Sequence, residues 1–190
     1  MNLKYPLLLG SASPRRKELL EKAGLTFTVK YLSTDESSDT NNDPREVALE
    51  IAKRKMSNYK LKYPYYTILT ADTIVTIDSQ VLGKPDSPEE AFYILNMLSG
   101  KNHEVITAVV IESPEHSVSF TQSTKVDFFN LNDKEKEKYV KSNSPFDKAG
   151  AYGIQDWIGV IGIKSIDGDY NNVMGLPVSL VYQTLKNKFC

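Results

Sequence analysis

A single cysteine, Cys190, and two histidines, His103 and His116, are all that this 190-residue chain offers of the two commonest zinc-binding side chains. One cysteine cannot close an internal disulfide, and without a Cys/His cluster a structural zinc site has no ligands. An excess of charge is missing too: 23 Lys and Arg stand against 24 Asp and Glu, for a formal net charge of −1. No whole-molecule field therefore draws the chain to nucleic acid or anionic lipid, and any anion it recognises has to be met by a local cluster. No run approaches the ~20 apolar residues needed to cross a bilayer. Near the N-terminus Lys4, Leu7-Leu8-Leu9 and Ser11-Ala12-Ser13 imitate a secretory signal, but Pro6 and Gly10 bracket only three leucines. A signal has an apolar stretch of roughly 7–15 residues, so the segment reads as a short buried strand. The expectation is a cytoplasmic enzyme or binding protein, with neither membrane nor nucleic acid as partner.

What is present is a globular composition, 41% apolar and 25% charged, able to bury one core or two small lobes. Strand-like and helix-like segments alternate without internal repeats, which points to an α/β domain. Residues 7–9 read as a strand. Ser13-Pro14 opens a helix that Gly24 closes, by N-cap, N1 and C′ chemistry. A strand at 27–31 precedes a polar loop at 33–42. Asp43-Pro44-Arg45-Glu46 is a capping box for a helix to about residue 59. Residues 67–77 are β-rich, and Asp78-Ser79 is a two-residue turn returning the chain through Val81-Leu82 to Gly83-Lys84-Pro85. Ser87-Pro88-Glu89-Glu90 caps a helix ending at Gly100. Strands at 103–112 and 118–129, with the hairpin before them, argue against an all-parallel sheet. The charged run 132–141 is expected as a helix with a solvated face. The last third is rich in glycine, which suggests backbone passing close to something, before a closing helix from Pro177.

Three places carry charge where folding alone would not put it. Arg15 and Arg16 follow Ser13-Pro14 at N2 and N3 of a helix, where the macrodipole disfavours cations. With Ser11, Ser13 and the free helix amides they form a phosphate cradle, unless both guanidiniums simply point into water. Lys55 lies at the centre of the apolar stripe Val47, Ala48, Ile51, Ala52, Met56 and Tyr59, and must snorkel or meet an anion. Asp72 lies inside a buried strand, which is costly unless it binds a cation or is paired. If the turn is two residues long, Lys84 falls opposite Thr73, next to Asp72. A Walker-type phosphate loop is missing, and His103-Glu104 does not extend to H-E-x-x-H. A metal would have to be met by carboxylates, which favours Mg²⁺ or Mn²⁺.

In chain order these pieces resemble the Maf family of nucleoside triphosphate pyrophosphatases. The matching segments are S-x-S-P-R-R at Ser11 to Arg16, Asp35-Glu36, Lys55 ending an L-A-x-x-K-A-like helix, Ala71-Asp72-Thr73, Gly83-Lys84-Pro85, H-x-V-x-T from His103, D-K-A-G-A-Y-G-I-Q ending at Gln155, and N-V-M-G-L-P from Asn172. Met56 departs from the usual small residue after the lysine. Asp156-Trp157 departs from the glycine-containing stretch that often follows Gln155. The resemblance implies one domain over residues 1–190, with an ITPase-like mixed α+β fold: a strongly bent mixed sheet with flanking helices, in two lobes about a central cleft.

It also implies hydrolysis of a nucleoside triphosphate to monophosphate and pyrophosphate, with a divalent cation and commonly as a homodimer. Arg15, Arg16, Lys55 and Lys84 would then neutralise the phosphates. Glu36 and Asp72 would hold Mg²⁺, with Asp72 activating water and Gln155 helping to hold that water or the base. Arg16, Thr73 and Gln155 together resemble the subgroup acting on dTTP and UTP. The competing expectations are an inosine/xanthosine triphosphatase, and a non-catalytic nucleotide-binding regulator of septum formation. If Asp72 is an unpaired buried charge, its replacement by Asn should preserve the fold and even stabilise it.

Overall fold

The computed structural model describes residues 1–34, 43–78, 80–142 and 144–190. The elements are, in order, β1 (Leu7–Gly10), α1 (Pro14–Lys22), β2 (Phe27–Lys30), α2 (Pro44–Lys62), β3 (Thr67–Ile77), β4 (Gln80–Leu82), α3 (Pro88–Leu98), β5 (Asn102–Glu112), β6 (Ser117–Phe128), α4 (Asp133–Val140), a 3-10 turn (Ala149–Ala151), α5 (Trp157–Gly162), β7 (Ile163–Asp167), α6 (Tyr170–Met174) and α7 (Val178–Lys188). Among the described residues the strands make one seven-stranded sheet of order β2-β1-β3-β5-β6-β7, with β4 paired to β3 off that path. The sheet is mixed, as the predicted hairpins require: β1 runs parallel to β2 and β3, whereas β3–β4 and β6–β7 are antiparallel.

The chain forms two compact units. The first comprises Met1–Asp72, Thr107–Gln122 and Gly175–Cys190, and the second Thr73–Ile106 and Ser123–Met174. In the first unit, Leu7, Leu8 and Leu9 are at most 2% exposed, which is why three leucines between Pro6 and Gly10 make a strand. Helix α1 starts as its sequence dictates: Ser13 accepts from the Arg16 amide, Pro14 occupies N1, and Gly24 has a positive φ just past the end. The buried face of α2 is the predicted stripe, residue for residue. The helix runs on to Lys62, past the expected end, and Asp43 caps it through the Arg45 amide rather than that of Glu46. Tyr59 anchors this helix: its hydroxyl donates to the Lys30 carbonyl and accepts from the Leu32 amide.

In the second unit, β3 and β4 pair Ile77 with Gln80 and Val75 with Leu82. This is the register that a two-residue turn predicts; the ladder ends at Leu82, two residues short of Lys84. Helix α3 buries Ala91, Ile94, Leu95 and Leu98. Helix α4 carries a complete capping box between Asn132 and Glu135. Its charges are not all solvated, contrary to expectation. Lys136 is buried, with its ammonium on Asn96, 2.9 Å from Asp133 and over the Phe92 ring. The glycine-rich third holds three elements that its pattern did not disclose: α5, β7 and α6.

Candidate active site

In the first unit the cationic helix start finds internal acceptors. Arg16 is buried; its Nε donates to the Gly175 carbonyl at 2.9 Å, and its Nη1 to the Ala71 carbonyl at 2.9 Å and to Ser11 Oγ at 3.2 Å. Ser11 Oγ also accepts from the Ser13 amide. Three motif segments far apart in sequence, at Ser11–Arg16, Ala71–Thr73 and Asn172–Pro177, are thus tied by one guanidinium. Planarity and five fixed donors suit arginine to such a bracket. Of the two alternatives for this guanidinium, a bound anion or water, the second does not hold for Arg16, which is buried and donates to two carbonyl oxygens. Arg15 and Ser13 are half-buried on the same turn.

Lys55 and Asp72, each anomalous alone, explain one another. The ammonium donates to Asp72 Oδ1 at 2.7 Å, with the side chains 12% and 11% exposed. Nearby, Thr70 Oγ1 donates to the Ala52 carbonyl and fixes β3 against α2. Pairing overturns the expectation that Asp72→Asn relieves an uncompensated charge. The substitution would instead strip Lys55 of its counter-ion in a place shielded from water, so it should destabilise.

The second unit brings Gly83-Lys84-Pro85 onto the segment that ends at Gln155. The Gly150 amide donates to the Gly83 carbonyl at 3.0 Å. Gly150 has φ +72, and a Cβ there would lie 2.8 Å from the Val75 side chain; only glycine fits both constraints. Ala151 follows with φ +57, a conformation that costs energy for a non-glycine residue and that clusters at functional loops. Tyr152 and His103 pin the segment from beneath, with Nε2 and the phenol oxygen 2.8 Å apart and both rings edge-on to Phe128. Burial lowers the His103 pKa to about 4 and raises that of Tyr152 above its ordinary value, so both are neutral near pH 7. Lys84 is exposed and Thr73 half-buried.

Gln155 is half-buried, and its Nε2 donates to Asp156 Oδ1 at 3.1 Å. Asp156 Oδ2 accepts from the Tyr139 hydroxyl at 2.6 Å and lies 3.4 Å from the Lys148 ammonium. The sequence reasoning missed Tyr139, Lys148 and Asp156 as site-shaping residues. The available signal was Asp156 itself, an N-cap residue type placed directly after Gln155. Glu36 lies outside the described residues. Among those described, no group of three His, Cys, Asp or Glu side chains could hold a metal ion. Mg²⁺ is commonly held by one or two carboxylates completed by substrate phosphates and water, and a buried carboxylate such as Asp72 fits that pattern. No helix among the described residues is long and apolar enough to cross a membrane.

The fold is shared with the solved Staphylococcus aureus Ham1 protein, which matches at a TM-score of 0.51, covering 94% of this chain and 98% of that one at 13% identity. Sequence narrows the class. A family model described as Maf-like protein matches residues 6–188. The dTTP/UTP pyrophosphatase of Bacteroides thetaiotaomicron is 44% identical over 185 residues, 96% of each chain, and that of Bacillus cereus is 42% identical over 180 residues, 95% of this chain and 94% of its own. The chain belongs to the Maf-like protein family.

Proposed function

We propose that the protein hydrolyses nucleoside triphosphates, foremost dTTP, UTP and modified pyrimidine analogues, to monophosphate and pyrophosphate, clearing the nucleotide pool. The observation that carries the reading is near-full-length likeness, at 44% identity, to a protein named for that activity. The chemistry of the residues agrees with it. Cleaving the α–β anhydride requires charge on the leaving pyrophosphate to be met by fixed cations, and Arg15, Arg16, Lys55 and Lys84 supply them. Asp72, oriented by Lys55, takes the proton of the attacking water, and Lys84 meets the β- and γ-phosphates. Asp72 and Glu36 would hold Mg²⁺, which supplies Lewis-acid polarisation of phosphate oxygens. Gln155 and Thr73 face the base, whose two carbonyls and one N–H an amide and a hydroxyl can match. Ser11 and Ser13 line the phosphate side. A homodimer and a cytoplasmic setting complete the proposal.

The test is a panel of nucleoside triphosphates with Mg²⁺, followed by pyrophosphate release. The expected result is kcat/KM for dTTP and UTP well above that for ATP, GTP and 7-methyl-GTP. A purine triphosphate at the top of the profile would contradict the base preference, and no release from any nucleotide would favour a non-catalytic binding protein.

A further inference from the structure

Asp156 occupies the N-cap position of α5, yet its side chain makes no capping bond. An aspartate there normally accepts from an amide of the first turn. Its carboxylate is instead bound by Tyr139, Lys148 and Gln155. The first two partners are themselves fixed. Tyr139 accepts from the Gly153 amide at 3.2 Å, and burial with Asp156 close by raises its pKa, so the hydroxyl is a permanent donor. Lys148 is held by the Ser144 carbonyl at 2.5 Å and by Asp147 at 2.6 Å. Gly153 completes the cage, since a Cβ there would stand 2.7 Å from Asp156 Oδ2 and 2.8 Å from Gln155 Nε2.

The consequence concerns the other end of the Gln155 amide. A free glutamine can turn either its carbonyl or its NH₂ to a ligand, and so cannot tell a donor from an acceptor. An ionised carboxylate only accepts, so it selects the orientation in which Nε2 faces it. Gln155 Oε1 is then the group left over; it is buried and has no hydrogen-bond partner among the described residues. A buried carbonyl without a partner is costly and calls for a donor. We propose that Asp156 is a positioning residue for base selection: it fixes Gln155 with its NH₂ on the carboxylate and its carbonyl oxygen left for the ligand, so the site accepts a ring with an N–H at that place and rejects one with a lone pair. This rests on the proposed reading of Gln155 as a base contact. Uracil and thymine carry an N–H at N3, whereas cytosine carries a lone pair there, so the discrimination at stake is UTP against CTP.

The experiment measures kcat/KM for UTP and CTP in the wild type, Asp156→Asn, Tyr139→Phe and Gln155→Leu. Because the UTP:CTP ratio is internal to each preparation, a partly unfolded sample does not distort it. An Asn at 156 can accept or donate and so releases the amide to flip. The expected outcome is a fall of about tenfold or more in the ratio for Asp156→Asn, a smaller fall for Tyr139→Phe, and pyrophosphate still the product. A ratio collapsed by Gln155→Leu but unmoved by Asp156→Asn and Tyr139→Phe overturns the role of Asp156 and leaves Gln155 as the base reader. A ratio unmoved by all three overturns the base contact itself, and this proposal with it.

Discussion

His103 opens a motif yet serves as a buried support: 3% exposed, it stands against the Tyr152 hydroxyl and the Phe128 ring. Its titration has a direct consequence for stability. Burial lowers its folded-state pKa from 6.5 to about 4. Between those values the unfolded chain binds the proton and the folded protein does not, so stability rises with pH across that window. The contribution is fully present above pH 6.5 and is lost as the pH falls toward 4. From pH 7 to pH 5 the loss assigned to His103 is about 2 kcal/mol. Urea unfolding at the two pH values should show it in the wild type, and His103→Asn should show a correspondingly smaller difference. An equal difference in both proteins would mean that the histidine is not held neutral. Lys55 and Asp72 make the same point about environment. Each was legible as an anomaly from its position on a stripe or a strand, but only the fold shows that they meet at 2.7 Å.

Among the elements, the loop leading to Gln155 carries two successive residues of positive φ, Gly150 and Ala151. Gly24 and Gly150 both have φ near +70, but a Cβ at Gly24 meets nothing within 4 Å, whereas at Gly150 it runs into Val75. Gly24→Ala should therefore cost about 1 kcal/mol, the backbone penalty alone, with normal kcat/KM. Gly150→Ala should cost roughly 1–3 kcal/mol more through overpacking and should also slow turnover, because the same residue donates to the Gly83 carbonyl beside Lys84. Thermal melts with kinetics on both variants check this; equal behaviour would remove the loop's special status. Periodicity and caps exposed most elements because those signals are local. The stripe of α2 follows from a 3.6-residue period, and the register of β3 with β4 from the length of the turn between them, both read directly along the chain. Helices α5 and α6 and strand β7 escaped because they have only five or six residues each, too few for a period to show. Their stability comes from packing, as where Gly162 accepts from the Phe129 amide and Lys164 pairs with Asp127. The buried Lys136 escaped for the same reason, since its partner Asn96 is on another helix.

For the molecule as a whole, a net charge of −1 leaves recognition of a polyanion to a few placed cations. The sequence marks Arg15, Arg16, Lys55 and Lys84 as the candidates, within motif segments that stand in family order. It did not reveal that Arg16 braces two carbonyls, because hydrogen bonds between distant segments leave no periodic trace, nor that the Asp156 side chain turns to its neighbour Gln155 instead of capping α5, because a side-chain orientation is not written in the residue type. In the proposed reaction water attacks the α-phosphorus with Asp72 as its base. Hydrolysis of dTTP or UTP in ¹⁸O-labelled water tests it most directly, with wild type and Asp72→Asn compared side by side. Label should enter the monophosphate and not pyrophosphate, with almost no turnover in a folded Asp72→Asn enzyme, since an amide cannot accept the proton. Label in pyrophosphate, or near-normal turnover by Asp72→Asn, would contradict it.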